Sequence, residues 1–319
     1  MSNTTEPNYL SDFLKKEADN LFSREKVIVK SGQNLDIGDV IGKILRGVGA
    51  APIPSVVGTG NGTMTNLKAG PDVQFGSYVI KCTSAVANGG VFSVTAPDGT
   101  VLPSLTLTPG AGGNTNYKST HMEFTITDGS TDFAVDDTFT VVVTEGGTPA
   151  VVGIGNGTMS AVSMGAKTQK GTYQVVCTAA VTNGGTFKVV APDGSALPDL
   201  VLSAGAGNST SYTNEQINFT ITDGSTDFAE GDTFNIIVGA GSGKVVEIGF
   251  NAVDGSEKAY GIMTAAADAS AADLSAVAIV RDALIDKSYL AWPTGTTTGQ
   301  KATGVADLAE KRIISRSRA

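Results

Sequence analysis

The segment at residues 259–293 reads AYGIMTAAADASAADLSAVAIVRDALIDKSYLAWP. It holds the only tryptophan of the chain, Trp292, and its short apolar runs are separated by small residues that are typical of turns. The runs lie at residues 260–263 and 277–280 and at Leu284 and Ile285. This alternation predicts compact β structure, so we expect a small β-rich core around the segment.

The composition of the whole chain favours the same fold class. Of 319 residues, 41% are hydrophobic, 17% are charged and 40 are glycine, a mixture that favours β-sandwiches with many turns over helix bundles. The net charge of −9 argues against nucleic-acid binding, because such binding depends on clustered lysine and arginine. The one basic cluster is interpreted as a solvated terminus; it consists of Lys311, Arg312, Arg316 and Arg318.

The sequence carries no signal for membrane insertion or secretion. No stretch approaches the roughly 18 apolar residues of a membrane helix, and residues 1–20 lack the apolar core of a signal peptide. We therefore expect a soluble protein that is made in the cytoplasm and has no membrane partner. Two cysteines in the chain give no disulfide framework.

The N-terminal region is predicted to form a helix and then two strands. Residues 1–8 are polar and predicted to be disordered in the free protein. Residues 9–22 place apolar side chains at helical spacing, which predicts an amphipathic helix that packs on its own domain or on a partner. Residues 25–30 and 39–45 predict strands, whereas residues 47–60, GVGAAPIPSVVGTG, have the glycine and proline density of a linker.

An internal repeat occupies the middle of the chain. Residues 60–143 align with residues 155–238 at a constant offset of 95, and about half of the aligned positions are identical. The ten residues TITDGSTDFA recur unchanged at residues 220–229. A period near 95 is too long for a solenoid unit and matches the size of an independent immunoglobulin-like sandwich.

Each copy of the repeat shows the period-two pattern of strands. Tyr78, Ile80 and Cys82 point to one side of a predicted strand, and the second copy repeats the pattern through its own Tyr, Val and Cys. Six or seven strands per copy fit one sandwich. Beyond a second glycine-rich linker at residues 239–243, the sequence predicts a strand at residues 245–248, a helix capped by Thr298 and a strand at Ile313 and Ile314.

Side chains suited to catalysis are scarce in this sequence. His121 is the only histidine and corresponds to Gln216 in the second copy, so we interpret it as a surface residue. Cys82 and Cys177 share one position in the two copies and face the apolar side, where cysteine behaves as a small hydrophobe. A nucleophilic cysteine needs a neighbouring base. The sequence therefore predicts no catalytic residue, no cofactor and no enzymatic activity.

Acidic loops offer the best alternative for a binding site. Three oxygen-bearing side chains in a turn can hold Ca²⁺, but Asp136 is replaced by Gly231 in the second copy and Asp-Gly is itself a turn signal, so a turn is the favoured interpretation. The glycines at residues 58–62 precede no helix and no Lys-Ser/Thr pair, which argues against a phosphate site. The acidic side chains considered are Asp128, Asp132, Asp136 and Asp137, repeated at Asp223, Asp227 and Asp232.

Short motifs lie in a characteristic order on both sides of the repeats. On the N-terminal side they are residues 10–14 with Glu17, Ser-Arg-Glu at residues 23–25, Ser-Gly-Gln-Asn at residues 31–34 and residues 38–44. On the C-terminal side they are DGSEKAYGI at residues 254–262 and Leu-Ala-Trp-Pro at residues 290–293. In this order the motifs resemble the head decoration proteins of lambda-like tailed bacteriophages. The resemblance covers about a third of the chain and leaves the repeats outside the minimal family pattern.

The resemblance implies a structural virion protein with a split domain organisation. We expect an N-terminal arm at residues 1–24, a decoration core formed by residues 25–46 and 244–319, and two immunoglobulin-like modules at residues 58–145 and 153–239. The core would bind the major capsid protein on the outside of the capsid as a homotrimer and stabilise the head. The modules would be displayed on the surface, where host surface glycans are an open partner.

Two further questions stay open at the level of sequence. The chain could instead be a cell-surface or glycan-binding adhesion module, with the flanking segments serving only as an anchor. The insertion sits at a predicted hairpin tip, so its two ends have to stay close together. The modules are therefore expected to lie side by side, or each to have its ends at one pole, and to stand on glycine stalks.

Overall fold

The computed structural model describes residues 9–316, which divide into two compact units. The split unit contains the chain up to Leu45 and from Gly241 onward, and the inserted unit is Arg46–Ala240. Both units consist mainly of β-strands. In the described part of the chain, no helix combines the length and the apolar character needed to span a membrane.

The split unit is built from elements at both ends of the described chain. Before the inserted unit these are α1 (Leu10–Phe13), β1 (Leu14–Glu17), α2 (Asn20–Ser23), β2 (Arg24–Val29), β3 (Gln33–Leu35) and β4 (Val40–Lys43). The inserted unit begins with β5 (Arg46–Ala50), β6 (Val56–Val57), β7 (Thr63–Ala69), β8 (Gly76–Val86), β9 (Gly89–Thr95), β10 (Val101–Leu107), β11 (Asn114–Lys118), β12 (Met122–Thr127) and β13 (Thr138–Glu145).

The second half of the inserted unit repeats the first half. Its strands are β14 (Val151–Val152), β15 (Thr158–Met164), β16 (Gly171–Val181), β17 (Gly184–Val190), β18 (Ala196–Leu202), β19 (Ser209–Tyr212), β20 (Ile217–Thr222) and β21 (Thr233–Ala240). The split unit then resumes with β22 (Val245–Glu247), β23 (Ala259–Met263), β24 (Ala267–Ala269), β25 (Leu274–Ile279), β26 (Ala283–Ile285), a 3-10 turn (Lys287–Tyr289), α3 (Thr298–Glu310) and β27 (Ile313–Ser315).

A five-stranded barrel forms the centre of the split unit. Its strands close in the order β2, β22, β4, β23 and β25, and a three-stranded sheet of β1, β26 and β27 lies beside it. The segment at residues 259–293 supplies β23 to β26, which confirms the β structure expected there. A helix and a short strand follow as predicted. The N-cap of α3 is Thr297, one residue before the predicted Thr298, and its side chain accepts a hydrogen bond from the backbone N–H of Gln300.

The predicted amphipathic helix at residues 9–22 is wrong. Two single helical turns, α1 and α2, flank the strand β1, which pairs with β26. The apolar spacing serves a different purpose, because Phe13 is fully buried in the core of the split unit whereas Leu21 is 92% exposed. Phe13 therefore packs on its own unit, whereas the alternative of a partner stays open for the exposed Leu21 and Phe22. Residues 1–8, predicted to be disordered, lie outside the described residues.

The two copies of the repeat share one sheet in the inserted unit. Module 1 carries the first copy and module 2 the second, and the strand order is β10-β9-β8-β13-β5-β21-β16-β17-β18. Each module adds a three-stranded sheet, β11-β12-β7 in module 1 and β15-β20-β19 in module 2. The modules therefore lie side by side, which is one of the two expected arrangements.

The central strand β5 corrects the predicted linker at residues 47–60. Residues 46–50 pair with β21 on one edge and β13 on the other, and Val56 and Val57 pair with β13 as well. Glycine lets this strand approach its neighbours, because a Cβ on Gly47 or Gly49 would stand only 2.9 or 2.7 Å from the ring of Phe75. At the other end of the insertion, Gly239 and Ala240 belong to β21, so the second predicted linker is partly strand too.

The two modules face opposite sides of the shared sheet. Both β13 and β21 run antiparallel to β5, so they point the same way, yet the strand order around β5 is mirrored. Two copies of one fold can combine the same strand direction with a mirrored strand order only when one copy is rotated by half a turn about the strand direction. The side chains agree, since Ile237 belongs to the core of module 1 while Ile236 and Val238 belong to the core of module 2.

The chain enters and leaves each unit at neighbouring positions. In the inserted unit, Arg46 pairs with Ala240 in the β5–β21 ladder. In the split unit, the carbonyl of Ile44 accepts a hydrogen bond of 3.0 Å from Gly243, and the N–H of Ile44 donates one of 3.0 Å to the carbonyl of Lys244. The expectation that the two ends of the insertion stay close is confirmed within each unit.

A bulge in the three-stranded sheet of each module allows backbone strain to be tested with two opposite substitutions. Asn66 in β7 and Ala161 in β15 occupy equivalent positions with φ of 54° and 51°, a region that asparagine tolerates better than alanine. We expect Ala161→Asn to raise the melting temperature by about 2 °C and Asn66→Ala to lower it by a similar amount. Calorimetry of both variants checks this, and shifts of the same sign would contradict it.

Candidate functional site

The acidic loops bind their own backbone. The carboxylate of Asp137 accepts hydrogen bonds from the backbone N–H groups of Thr59, Gly60 and Ala134, at 2.7, 2.8 and 2.8 Å. Asp232 does the same in module 2, with Ile154, Gly155 and Ala229 as donors. The glycine-rich loop at residues 58–62 thus directs two N–H groups at an internal carboxylate, where a phosphate loop would direct them at a ligand.

The remaining acidic side chains differ in their contacts. Asp128 is buried, and neither of its carboxylate oxygens has a hydrogen-bond partner among the described residues. The equivalent Asp223 accepts a hydrogen bond of 3.4 Å from the backbone N–H of Gly207. Asp132 accepts a hydrogen bond of 2.9 Å from the backbone of Asn88, and Asp227 accepts the equivalent bond from Asn183. Asp136 has φ of 78° and its replacement Gly231 has φ of 94°, so this position needs a residue that tolerates the left-handed region. Within residues 9–316, no three His, Cys, Asp or Glu side chains come together as a metal site requires.

The buried carboxylates make the modules sensitive to acid. Burial raises the pKa of Asp137, but hydrogen bonds from the three backbone N–H groups outweigh it, so the pKa lies below its usual value. A lowered folded-state pKa contributes stability that is present above the unfolded pKa of about 3.9 and is lost as the pH falls through the folded pKa. The same reasoning applies to Asp232.

Acid titration of a carboxamide variant tests this assignment. We expect Asp137→Asn to melt below the wild type at pH 7, and the difference to narrow below about pH 4 as the wild-type carboxylate is protonated. Melting curves between pH 7 and pH 2.5 measure the difference. Asp232→Asn is the matched variant in module 2 and should behave alike. A difference that stays constant with pH would refute a role for the carboxylate charge.

The two cysteines are buried in equivalent strands. Cys82 and Cys177 are free thiols with almost no exposed surface, each in the core of its module, as predicted. Burial raises the pKa of both thiols, which opposes formation of a nucleophilic thiolate. Their role is therefore packing.

Replacement of a core cysteine by serine should destabilise one module. Cys82→Ser places a hydroxyl in an apolar layer, which we expect to cost about 1–3 kcal/mol. Urea denaturation measures the loss, and Cys177→Ser is the matched change in module 2. Rapid reaction of both thiols with a maleimide in the native protein would show that the thiols are accessible to solvent and not buried.

His121 has a structural partner in place of a catalytic one. Its Nδ1 lies 3.0 Å from the hydroxyl of Tyr78, and the side chain is half-buried, so it is less exposed than the sequence suggested. In module 2, the hydroxyl of Tyr173 donates to the Oε1 of Gln216 at 2.9 Å. Histidine and glutamine thus perform one task, which is to satisfy the hydroxyl of a buried tyrosine.

Part of the basic terminus is packed around Tyr260. The ammonium groups of Lys43 and Lys311 each lie 4.6 Å from the centre of its ring, and its hydroxyl donates to Glu25 at 2.7 Å. Burial raises the pKa of Tyr260 to about 12, whereas burial and the charge of Lys43 lower the pKa of Lys311. The interpretation as a solvated tail is therefore wrong for Lys311, whereas Arg312 is 69% exposed and forms a surface ion pair with Asp282. Arg318 lies outside the described residues.

An apolar strip is exposed on the split unit. On the outer face of paired strands β2 and β25, Ile28 and Val277 are 39% and 42% exposed. Leu21 and Phe22, directly before β2, are 92% and 51% exposed. We call these four residues the β2–β25 strip. The predicted helix at residues 9–22 would carry Leu21 and Phe22 on its apolar face, so the strip was not predicted.

Comparison with known proteins gives one match. The family model described as "Bacteriophage lambda head decoration protein D" matches residues 3–313, a span that includes the repeats. Neither the curated proteins nor the solved structures contain a match to the chain. Because the family model spans nearly the whole sequence, the chain belongs to the bacteriophage lambda head decoration protein D family.

Proposed function

We propose that the protein binds the outside of the capsid as a homotrimer, stabilises the head and displays the inserted unit on the particle surface. Family membership makes it a structural protein of the phage head that associates with the capsid. The trimer, the contact with the major capsid protein, synthesis in the host cytoplasm and the display of the modules belong to the proposal.

The β2–β25 strip is the observation that supports a protein–protein contact by the split unit. These four large apolar side chains stay exposed, and the exposed Lys26 pairs with Val277 on the same face. Exposed apolar side chains rimmed by polar residues commonly mark an interaction site. Ile28 and Val277 lie on strands of the closed barrel, and Leu21 and Phe22 lie on α2 directly before β2. Many weak contacts of this kind become strong when a symmetric trimer repeats them on a symmetric lattice.

The layered structure of the inserted unit supports the proposal of immunoglobulin-like modules. In each module a three-stranded sheet packs on four strands of the shared sheet. A constant-type immunoglobulin sandwich also has one sheet of three strands and one of four. The alternative function, an adhesion module that binds surface glycans, concerns the same unit. The two functions are compatible, because one uses the split unit and the other the inserted unit.

Charge substitution in the strip tests the proposed function in the full-length protein. We expect Val277→Lys to weaken trimer formation, capsid binding or both, because a desolvated lysine opposes burial of the strip. Val181→Lys is the matched control, since Val181 is 51% exposed and lies in module 2. Sedimentation velocity reports the oligomer, and co-sedimentation with empty expanded capsids reports binding. Unchanged oligomeric state and capsid binding of Val277→Lys would show that the strip is not the contact surface. A monomeric wild type would refute the proposed trimer.

Removal of the inserted unit tests the division of labour. Leu45 can be joined to Gly241 by a short turn, because Ile44 already bonds to Gly243 and Lys244. We expect the shortened protein to fold and to bind capsids as the full-length protein does. Loss of capsid binding by a folded, shortened protein would assign the contact to the inserted unit.

A further inference from the structure

The outer face of the three-stranded sheet in module 1 is polar and carries charge. Its strands β7, β12 and β11 turn apolar residues inward, and across its outward face runs one row of charged side chains, Lys68, Glu123 and Lys118 in register. Beside this row, the hydroxyl of Thr125 donates to the Oδ1 of Asn116 at 2.7 Å and accepts from the amide of Asn66 at 3.4 Å. We call this surface the lysine face.

The equivalent face of module 2 has no charge. At the offset of 95, Lys68, Glu123 and Lys118 correspond to Ser163, Asn218 and Thr213. The cores of the two modules remain alike, with matching buried tyrosine, cysteine and phenylalanine residues. The fold of a module therefore does not require the lysines, so their presence on one copy calls for a reason other than folding.

A cleft of about 810 Å³ between the two modules adjoins the lysine face. Lys68, Lys118 and Glu123 line the cleft and also a shallower depression of about 260 Å³ over the face itself. Module 2 contributes Lys170 to the far side of the cleft. Three lysines from two modules thus converge on one concave surface of the inserted unit.

The charges of the cleft are only partly neutralised. Lys118 forms an ion pair with Glu123. In the described part of the chain, no carboxylate forms an ion pair with Lys68 or Lys170. Asp193 also lines the cleft, so three lysines and two carboxylates leave it a net charge of +1. A ligand that carries separated negative charges can pair with Lys68 and Lys170, which have no ion-pair partner within residues 9–316.

The other lining groups suit sugars. Side-chain amides and hydroxyls, such as those of Asn116, Thr125 and Thr120, can donate to and accept from sugar hydroxyls. Pro71 and Pro192 give the cleft apolar surface against which the C–H faces of a pyranose ring can pack. Nucleic acid fits less well, because the cleft and the face contain no arginine and no exposed aromatic side chain for base stacking.

We propose that the lysine face and its cleft bind an acidic polysaccharide whose carboxylates, like those of a uronic acid polymer, contact Lys68, Lys118 and Lys170. This inference rests on the proposed display of the inserted unit and assigns a ligand class to it. The site belongs to module 1 and the cleft. The outer face of module 2 serves as an internal reference that does not bind.

Binding of polygalacturonate to the full-length protein tests the proposal. The test variant Lys68→Ser/Lys118→Thr carries the residues that module 2 has at the same positions, so it is expected to fold. Loss of two ammonium contacts should weaken binding by about tenfold and reduce its dependence on salt. The matched control is Lys81→Val, which also takes the module 2 residue but lies on β8, outside the face; it should bind as the wild type does.

Three probes and one further variant separate the outcomes. Dextran has no charge and oligo-dT carries phosphates, so stronger binding of polygalacturonate than of either probe supports the proposal. Equal or tighter binding of oligo-dT would mean that the site binds nucleic acid and not an acidic polysaccharide. Equal binding of dextran would show that the lysine charges do not contribute to recognition. Lys170→Ser should weaken binding from the module 2 side, and unchanged affinity in both lysine variants would overturn the proposal.

Capsid binding keeps this test distinct from the proposed decoration function. The Lys68→Ser/Lys118→Thr variant should co-sediment with capsids as the wild type does, because both substitutions lie in the inserted unit. Normal capsid binding with no affinity for polygalacturonate would refute only the ligand. Absence of capsid binding in the wild type would refute the decoration function and leave the ligand measurement valid.

Discussion

Phe13→Ala should lower the stability of the split unit by about 3–5 kcal/mol, the usual cost of removing a buried phenylalanine. Phe13 is fully buried among side chains of the barrel and of α3, including Ile262 and Leu308. Its backbone carbonyl also accepts a hydrogen bond of 2.7 Å from Asp286. Truncation would leave a cavity in the core against which Leu10 and Leu14 also pack.

Trp292 gives a specific probe for this measurement. It is the only tryptophan and packs against the same core as Phe13, so its fluorescence follows unfolding of the split unit. Leu21→Ala is the control, since Leu21 is 92% exposed and its truncation should change stability by less than about 0.5 kcal/mol. A similar small effect of Phe13→Ala would mean that the N-terminal segment is not part of the core.

Gly49→Ala should destabilise the inserted unit by about 2–3 kcal/mol, in the upper part of the range for overpacking. A Cβ on Gly49 would stand 2.2 Å from the carbonyl oxygen of Thr144 and 2.7 Å from the ring of Phe75. The first contact is with backbone, so strands β5 and β13 would have to separate. The variant thus tests whether β5 joins the modules.

The matched control is Gly110→Ala, because a Cβ on Gly110 meets no atom within 4 Å and its φ is not positive. Urea denaturation followed by circular dichroism should show a lower midpoint only for Gly49→Ala. The transition followed by Trp292 fluorescence should stay unchanged in both variants. Equal midpoints for the two variants would show that β5 is not tightly held between its neighbours.

Much of the fold could be predicted because it depends on local periodicity and on the repeat. The offset of 95 fixed equivalent positions, so the inward orientation of Cys82 implied that of Cys177, and both are buried. The predicted helix at residues 9–22 failed because only the first part of its apolar pattern packs inward, with Phe13 fully buried and Leu10 and Leu14 beside it, whereas Leu21 is exposed. Strand β1 then forms through its pairing with β26, a partner about 270 residues away that local spacing cannot reveal.

The central strand β5 was missed for a related reason. Glycine and proline density is typical of linkers. At positions 47 and 49, however, glycine is needed because Phe75 and β13 approach so closely that they leave no room for a side chain. Such an approach depends on tertiary structure. The candidate ligand site could have been suspected from the sequence, because the two copies differ in charge at aligned positions. Lys68 corresponds to Ser163, and Lys118 corresponds to Thr213. Only the fold shows that Lys170 joins them in one cleft.

The position of β5 limits how many modules the chain can carry in this arrangement. A strand has two edges, and those of β5 are occupied by β13 and β21. A third copy of the repeat added by duplication would find no free edge on the shared strand. Growth beyond two modules would therefore need a second strand of the same kind, so that the unit of duplication would become a pair of modules together with its own β5.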